Sequence, residues 1–296
     1  MKRVFIDLSF LAHRARHSLD GLDHEDIPTG IMFGFFLQLL TICNDPLVRS
    51  NRVMIFTDSK KSYREKAFPE YKRRRREDRT EEELIRIKIM HEQVNLLRKD
   101  ILPSIGFPVY RQTGLESDDL IAYAADQMVL LDKAIIISSD GDLWQCISNN
   151  VEWYDPQRHK LLTNDNFEEE KGIEARYWGR VKALGGCTTD GVPGLKGIGV
   201  KRAIEIIKGD RPMPKDGRYS LWKELTILPH HKTRPFELRD PEYDEDAFFA
   251  FCEKYGIDSF LEGSKRKDWS RLFAGEFGNR VRLRRAHGKK RKRKRI

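Results

Sequence analysis

Cysteine is scarce and scattered: Cys43, Cys146, Cys187 and Cys252 are the only four in 296 residues. Their spacing matches neither a disulfide framework nor a zinc ribbon, so neither is expected, and a reducing, intracellular compartment fits. Long apolar runs are also missing. The longest, Ile31 to Ile42, is too short to span a bilayer and contains Gln38, and Asp7 stands where a signal peptide would be apolar. No membrane segment is expected.

The length corresponds to about two domains and is ample for a sizeable core. The chain is 39% hydrophobic and 34% charged, with 55 Lys and Arg against 46 Asp and Glu, a formal net charge of +9. Such a surplus suits an anionic partner, nucleic acid first. The surplus is local, however. From Arg280 to the end there are eleven basic residues and no acid, which leaves 44 basic against 46 acidic residues in 1–279, a net of −2. A like-charge block of this kind is expected to be a solvated, disordered tail that can still bind phosphates.

The body alternates apolar runs with helical patterns. Val4-Phe5-Ile6, Arg52 to Thr57 and Ala134 to Ser138 read as buried strands, Phe107 to Tyr110 as an extended piece, and Thr29 to Cys43 and Ser117 to about Leu131 as helices. Thr80 with Glu83 three residues on predicts a capping box, followed by a helical stripe of Leu84, Ile87, His91, Val94 and Leu97 running to about Ile101. Strands alternating with helices predict an α/β core of roughly 180 residues with a mainly parallel sheet.

In such sheets the ligand site lies beyond the carboxyl ends of the strands. Asp7, Asp58, Asp140 and Asp142 each follow a strand, and Glu116, Asp118 and Asp119 open a helix. Gathering seven carboxylates is costly without cations, because two like charges about 4 Å apart repel by about 4 kcal/mol at an effective dielectric near 20. Hard divalent ions, Mg²⁺ or Mn²⁺, are the expected remedy, and two of them would suit phosphodiester cleavage.

The bases have a separate part to play. Ser62 to Arg76 places aromatics among cations, with Lys72 and Arg75 expected at the scissile phosphate and Tyr71 expected to stack on a base. Gly194-Leu195-Lys196-Gly197-Ile198-Gly199, followed by Lys201 and Arg202, reads as a hairpin between helices whose backbone can approach a duplex phosphate. It is not a Walker A loop, since the Gly-Lys-Ser/Thr ending is absent. His13 and His17 stand four apart, but with no third ligand nearby a phosphate-facing or surface role is expected rather than zinc. Trp144 is expected to pack in the core, and the aromatics beyond Asp210 suggest a packed helical extension without a readable motif.

Taken in order, Asp7 with Leu11 to His17, Pro69-Glu70-Tyr71-Lys72, Gly114 to Asp119, Ser139 to Asp142, and Asp190 to Gly194 with Gly197-Ile198-Gly199 resemble the flap endonucleases, above all their bacterial and phage 5′→3′ exonuclease branch, which includes phage ribonuclease H. The likeness covers about residues 1–208. It implies a PIN-like α/β nuclease domain over 1–180 with a helical arch at about 60–100, then a helix-three-turn-helix DNA-binding region and helical extension over 181–279, and the tail. It implies two Mg²⁺ ions, the first held by Asp7, Asp58, Glu116, Asp118 and Asp140 and the second by Asp142 and Asp190. It also implies arch cations at Lys72 and Arg75, a DNA contact at Arg14, and K⁺ at the hairpin carbonyls. The implied substrates are DNA with 5′ flaps or 5′ ends and RNA–DNA hybrids. A monomer meeting replication proteins would act in the cytoplasm of a bacterial or phage-infected cell, or in the nucleus or an organelle of a eukaryote.

One departure stands out. The family usually reads Gly-Asp-x-x-Asp-Asn before its Pro-Gly, whereas Gly186 to Gly191 puts Cys187 at the first acid and Gly191 at the Asn. A thiol is a poor Mg²⁺ ligand, so a weaker second ion and better activity with Mn²⁺ are expected. Two other readings stay open on sequence: a branched-DNA binding protein with lapsed catalysis, and a PIN-type ribonuclease.

Overall fold

The computed structural model describes residues 1–19, 21–73 and 79–276. Six strands make one sheet: β1 (Arg3–Asp7), β2 (Val53–Phe56), β3 (Val109–Tyr110), β4 (Ala134–Ile137), β5 (Val151–Asp155) and β6 (Lys160–Leu162). Their order is β3-β2-β1-β4-β5-β6, with all neighbours parallel except β5 and β6. The mainly parallel sheet expected from sequence is present, with an antiparallel edge.

The register shows why the central strands read as unbroken apolar runs. Val4 lies beside Val53 and Ile135, and Phe5 beside Met54 and Ile136. Because side chains alternate along a strand, Val4, Ile6, Val53 and Ile55 enter one core, and Phe5, Met54 and Phe56 enter the other. Helices cover both faces. On the first lie α1 (Leu8–Leu19) and α2 (Gly30–Cys43); on the second lies α5 (Ser117–Asp126). Between them in sequence come the short α3 (Tyr63–Ala67) and α4 (Glu81–Leu96), whose expected Thr80–Glu83 capping box is formed.

Two helix expectations are corrected. The face that α4 buries is Ile87, Met90 and Gln93, while Leu84 is half exposed and His91 is exposed. Gln93 turns inward because its Oε1 accepts from the backbone N–H groups of Ile31 (3.0 Å) and Met32 (3.2 Å), which caps the first turn of α2. And α5 stops at Asp126, so Leu130 and Leu131 stand in solvent rather than extending a helix.

The C-terminal part packs back onto the sheet. After β6, α6 (Asn164–Lys171) adds Phe167 to the second core, and α7 (Trp178–Gly185), α8 (Val200–Lys208) and α9 (Tyr219–Thr226) contribute Val181, Leu184, Ala203, Ile206 and Trp222 to it. Helices α10 (Glu245–Lys254) and α11 (Gly263–Phe273) bring Phe248 and Trp269 to 5.3 and 5.8 Å from the ring of Phe36 on α2, closing the first core. Among the described residues no helix is long and apolar enough to cross a membrane.

Candidate metal centre

β1, β2 and β4 are parallel and in register, so their carboxyl ends open on the same edge of the sheet. There a cleft of about 670 Å³ is lined by Asp7, Asp58, Glu116, Asp118 and Asp140, together with Ser9, His13, Arg14, His17, Lys72 and Ser117. All five acids expected to share one ion therefore meet.

Each is held by local chemistry. Asp7 ends β1 and accepts from the N–H of Ser9 (2.9 Å). Asp58 accepts from the Ser9 hydroxyl (2.9 Å) and from the backbone N–H (2.8 Å) and hydroxyl (2.9 Å) of Ser117. Asp140 accepts from the N–H of Asp142 (2.8 Å), forming an Asx turn after β4. Glu116 caps α5 and is met by Lys72 Nζ (2.8 Å) and the Tyr71 hydroxyl (2.9 Å). Ser9 and Ser117 had no signal of their own in the sequence beyond standing beside the acids they orient.

The carboxylates repel one another. Burial, then Asp58, raises Asp7 well above the usual carboxylate range; burial, then Asp140 and Asp7, does the same for Asp118; burial and Asp142 raise Asp140. Burial opposes the Lys72 ammonium, but Glu116 and its neighbours outweigh it and hold it protonated. An all-oxygen, mutually repelling set of this kind fits a hard divalent cation. His13, pushed down to about 4 by burial and the nearby Arg16 and His91, is neutral at neutral pH and adds no charge to the cleft.

Asp119 does not join them. It is fully buried, and both its oxygens take up the equally buried Arg64 guanidinium at 2.7 Å, with the N–H of His230 (2.8 Å) and of Glu116 (3.1 Å) completing its shell. Its lone pairs are spent on a structural ion pair, so it is corrected out of the ligand set. Tyr71 is also misplaced by the sequence reading. At 2% exposure its ring is unable to stack on a base, and its hydroxyl ties Glu116 to Asp190 Oδ2 (3.2 Å). Lys72, in the left-handed region at φ +54°, hands its N–H to the Asp190 carbonyl (2.8 Å) and so is locked between the two acid groups. Arg14 lines the cleft with a buried Nη1 that meets no acceptor among the described residues. Arg75 lies outside the described residues, as does the basic tail.

Asp142 and Asp190 form a second group with Cys187, their donor atoms all within 4.8 Å of one another. The donors are a poor match for Mg²⁺. Lys182 Nζ sits 2.7 Å from Asp142 Oδ1 and 3.6 Å from Cys187 Sγ, and burial followed by Asp142 raises the thiol's pKa, keeping it protonated. Glu224, His230 and His231 gather elsewhere, a trio the sequence reading missed. There His230 Nδ1 accepts from the Lys232 N–H (3.2 Å), which assigns the ring proton to Nε2 and removes that nitrogen as a ligand.

The hairpin follows α7. Gly194 (φ +68°) and Gly197 (φ +76°) adopt left-handed backbone, and a Cβ at Gly194 would lie 2.4 Å from the Gly186 nitrogen. Gly199 precedes α8, Lys196, Lys201 and Arg202 are exposed, and Arg202 Nη1 donates to the Gly197 carbonyl (2.7 Å).

Comparison with known proteins agrees with this architecture. Residues 2–172 match the family described as 5′-3′ exonuclease, N-terminal resolvase-like domain. The chain is 31% identical to a 5′-3′ exonuclease of Aquifex aeolicus over 216 residues, 70% of each protein, and 25% identical to one of Buchnera aphidicola over 252 residues, 84% of this chain and 83% of the other. Among solved structures, the T5 D15 protein co-crystallised with metal ions superposes with a TM-score of 0.63 at 21% identity, covering 92% of this chain and all of that one.

Proposed function

The chain belongs to the 5′-3′ exonuclease family, and on that premise we propose that it is a Mg²⁺-dependent, structure-specific nuclease hydrolysing phosphodiester bonds near 5′ ends and 5′ flaps of duplex DNA, in the cytoplasm of a bacterial or phage-infected cell. The observation that carries this reading is the meeting of Asp7, Asp58, Glu116, Asp118 and Asp140 with Lys72 and Arg14 in one cleft at the sheet edge. The five acids would hold the ion, which when bound supplies a lowered water pKa and charge stabilisation at the phosphate. Mn²⁺ has the same preference for oxygen ligands and would substitute.

The protein's own groups do the rest. Lys72 has three donors and spends one on Glu116, so it can bind a phosphate oxygen while staying anchored. Arg14, with its unmet Nη1, would orient the same strand. Lys196, Lys201 and Arg202 would hold the duplex backbone at the hairpin, about 40 residues of sequence after β5 but packed through the same core. K⁺ is left out of this reading, because Arg202 already brings a cation to the Gly197 carbonyl. The same phosphate-facing contacts, Lys72 and Arg14, would serve an RNA-primed duplex as well as a DNA one.

The test is a panel of end-labelled substrates: a 5′-flap duplex, a recessed duplex, an RNA-primed duplex and single-stranded RNA, each with Mg²⁺, with Mn²⁺ and with chelator. Metal-dependent cutting of the flap and primed duplexes, with single-stranded RNA spared, is expected. Duplex binding with no cutting in any metal would leave only a branched-DNA binding protein; cutting of single-stranded RNA alone would leave a ribonuclease.

A further inference from the structure

The second acid group departs from the first in kind. Asp7, Asp58, Glu116, Asp118 and Asp140 offer oxygen only and face an open cleft. Asp142, Cys187 and Asp190 offer two carboxylates and a thiol, and a lysine of α7 reaches into them: Lys182 Nζ lies 2.7 Å from Asp142 Oδ1 and 3.6 Å from Cys187 Sγ. The thiol is also 3.6 Å from Asp142 Oδ2 and 3.1 Å from the Thr189 hydroxyl.

The position of the sulfur is fixed. Cys187 is 3% exposed, and its N–H and carbonyl pair with the carbonyl and N–H of Val192 at 2.8 and 2.9 Å, so the loop has little freedom to swing another donor in. Lys182 is fixed as well, rising from the last turn of a helix whose Val181, Ala183 and Leu184 are buried. On the far side the Tyr71 hydroxyl, shared between Glu116 and Asp190, lies 3.2 Å from Asp190 Oδ2.

The donor set favours the lysine. With a thiol at position 187 in place of a carboxylate, the group offers a divalent hard ion one oxygen donor fewer and a sulfur it coordinates poorly, while Lys182 Nζ already stands among the remaining donors. A monovalent ammonium makes up to three hydrogen bonds in any direction, and is tethered at high effective concentration by its own helix.

We propose that the Lys182 ammonium takes the place of a second divalent ion in this nuclease, so that the chain holds one divalent ion, in the five-acid cleft, and supplies the neighbouring positive charge from its own side chain. The proposal rests on reading the five-acid cleft as a metal centre. It concerns the count of ions, and the count can be read without turnover.

Mn²⁺ alone is the probe. The free ion has an electron paramagnetic resonance signal that disappears on binding, and two ions sharing a site give a spin-coupled spectrum in frozen solution. The full-length protein is expected to bind one Mn²⁺ per chain with no coupled spectrum. The double variant Lys182→Met/Cys187→Asp, checked for folding by its melting transition, is expected to bind two with coupling. Two coupled ions in the unaltered protein would overturn the proposal, and so would a folded double variant that still binds one. Should the double variant fail to fold, the count in the unaltered protein decides. No ion bound to the unaltered protein would overturn the metal-centre reading itself, a different outcome from two.

Discussion

Asp118 and Asp119 are adjacent in sequence and do unrelated work. At the start of a helix successive side chains diverge, and Asp118 lines the cleft while Asp119 turns inward to Arg64. The sequence held a sign of this: Asp119 stands three residues after Glu116, the spacing of a capping box, and the box is formed. Arg64 gave no such sign, because a lone arginine among surface-like residues does not announce burial. Breaking a buried ion pair from one side strands a charge, so Asp119→Asn should cost about 3–5 kcal/mol, read from chemical denaturation. The pH dependence follows from the direction of the shift. Arg64 holds the Asp119 carboxyl below the usual range against the opposing effect of burial. Its contribution is thus present above the unfolded pKa of about 3.9 and lost as pH falls through the lower, folded value. Melting scans from neutral pH downward should show the unaltered protein losing this increment below about pH 4, with Asp119→Asn lower throughout and flatter there. Equal stability of the two proteins at neutral pH would contradict the assignment.

Elements were legible where their pattern was apolar and periodic, and misread where a polar residue turned inward. The strands Val53–Phe56 and Ala134–Ile137 lie within their expected bounds, since burial on both faces makes every position apolar. Helix α4 was placed correctly, and Ile87, Val94 and Leu97 of its expected stripe face inward, but Leu84 and His91 face out and Gln93 sits on the buried side to cap α2. Tyr71 was read as an exposed aromatic for the same reason in reverse: its flanking cations suggested solvent, yet its hydroxyl is spent on Glu116 and Asp190. The hairpin was found from its glycines, and its tightest point is Gly194, where both the left-handed φ and the 2.4 Å approach of the Gly186 nitrogen exclude a side chain. Gly194→Ala should therefore shift the hairpin backbone and weaken flap-duplex affinity roughly tenfold or more, measured by fluorescence anisotropy, while Mn²⁺ binding at the five-acid cleft is retained. Unchanged affinity would remove the hairpin from the DNA interface.

The whole molecule separates its charges. Residues 1–279 carry a net −2, because acids collect at the sheet edge, and the surplus lies in the final seventeen residues. Deleting 280–296 should lower duplex affinity and flatten its dependence on salt, since each phosphate contact contributes a slope of about 0.9 in log K against log salt, while the cleavage position stays the same. A truncated protein that cuts at new positions would show that the tail selects the site. Phe56 and Leu115, which flank cleft acids, lie in the same core as Val192 and Leu195 of the hairpin, so the five-acid cleft and the hairpin share one framework. Asp118 is the residue on which the metal-centre reading converges, since it lines the cleft and opposes Asp7 and Asp140 there. The direct measurement is binding and single-turnover cleavage of one labelled 5′-flap duplex in Mg²⁺ by the unaltered protein and by Asp118→Asn. The account predicts a loss of cleavage of roughly 100-fold or more with flap affinity preserved. Cleavage retained at the original rate would contradict it.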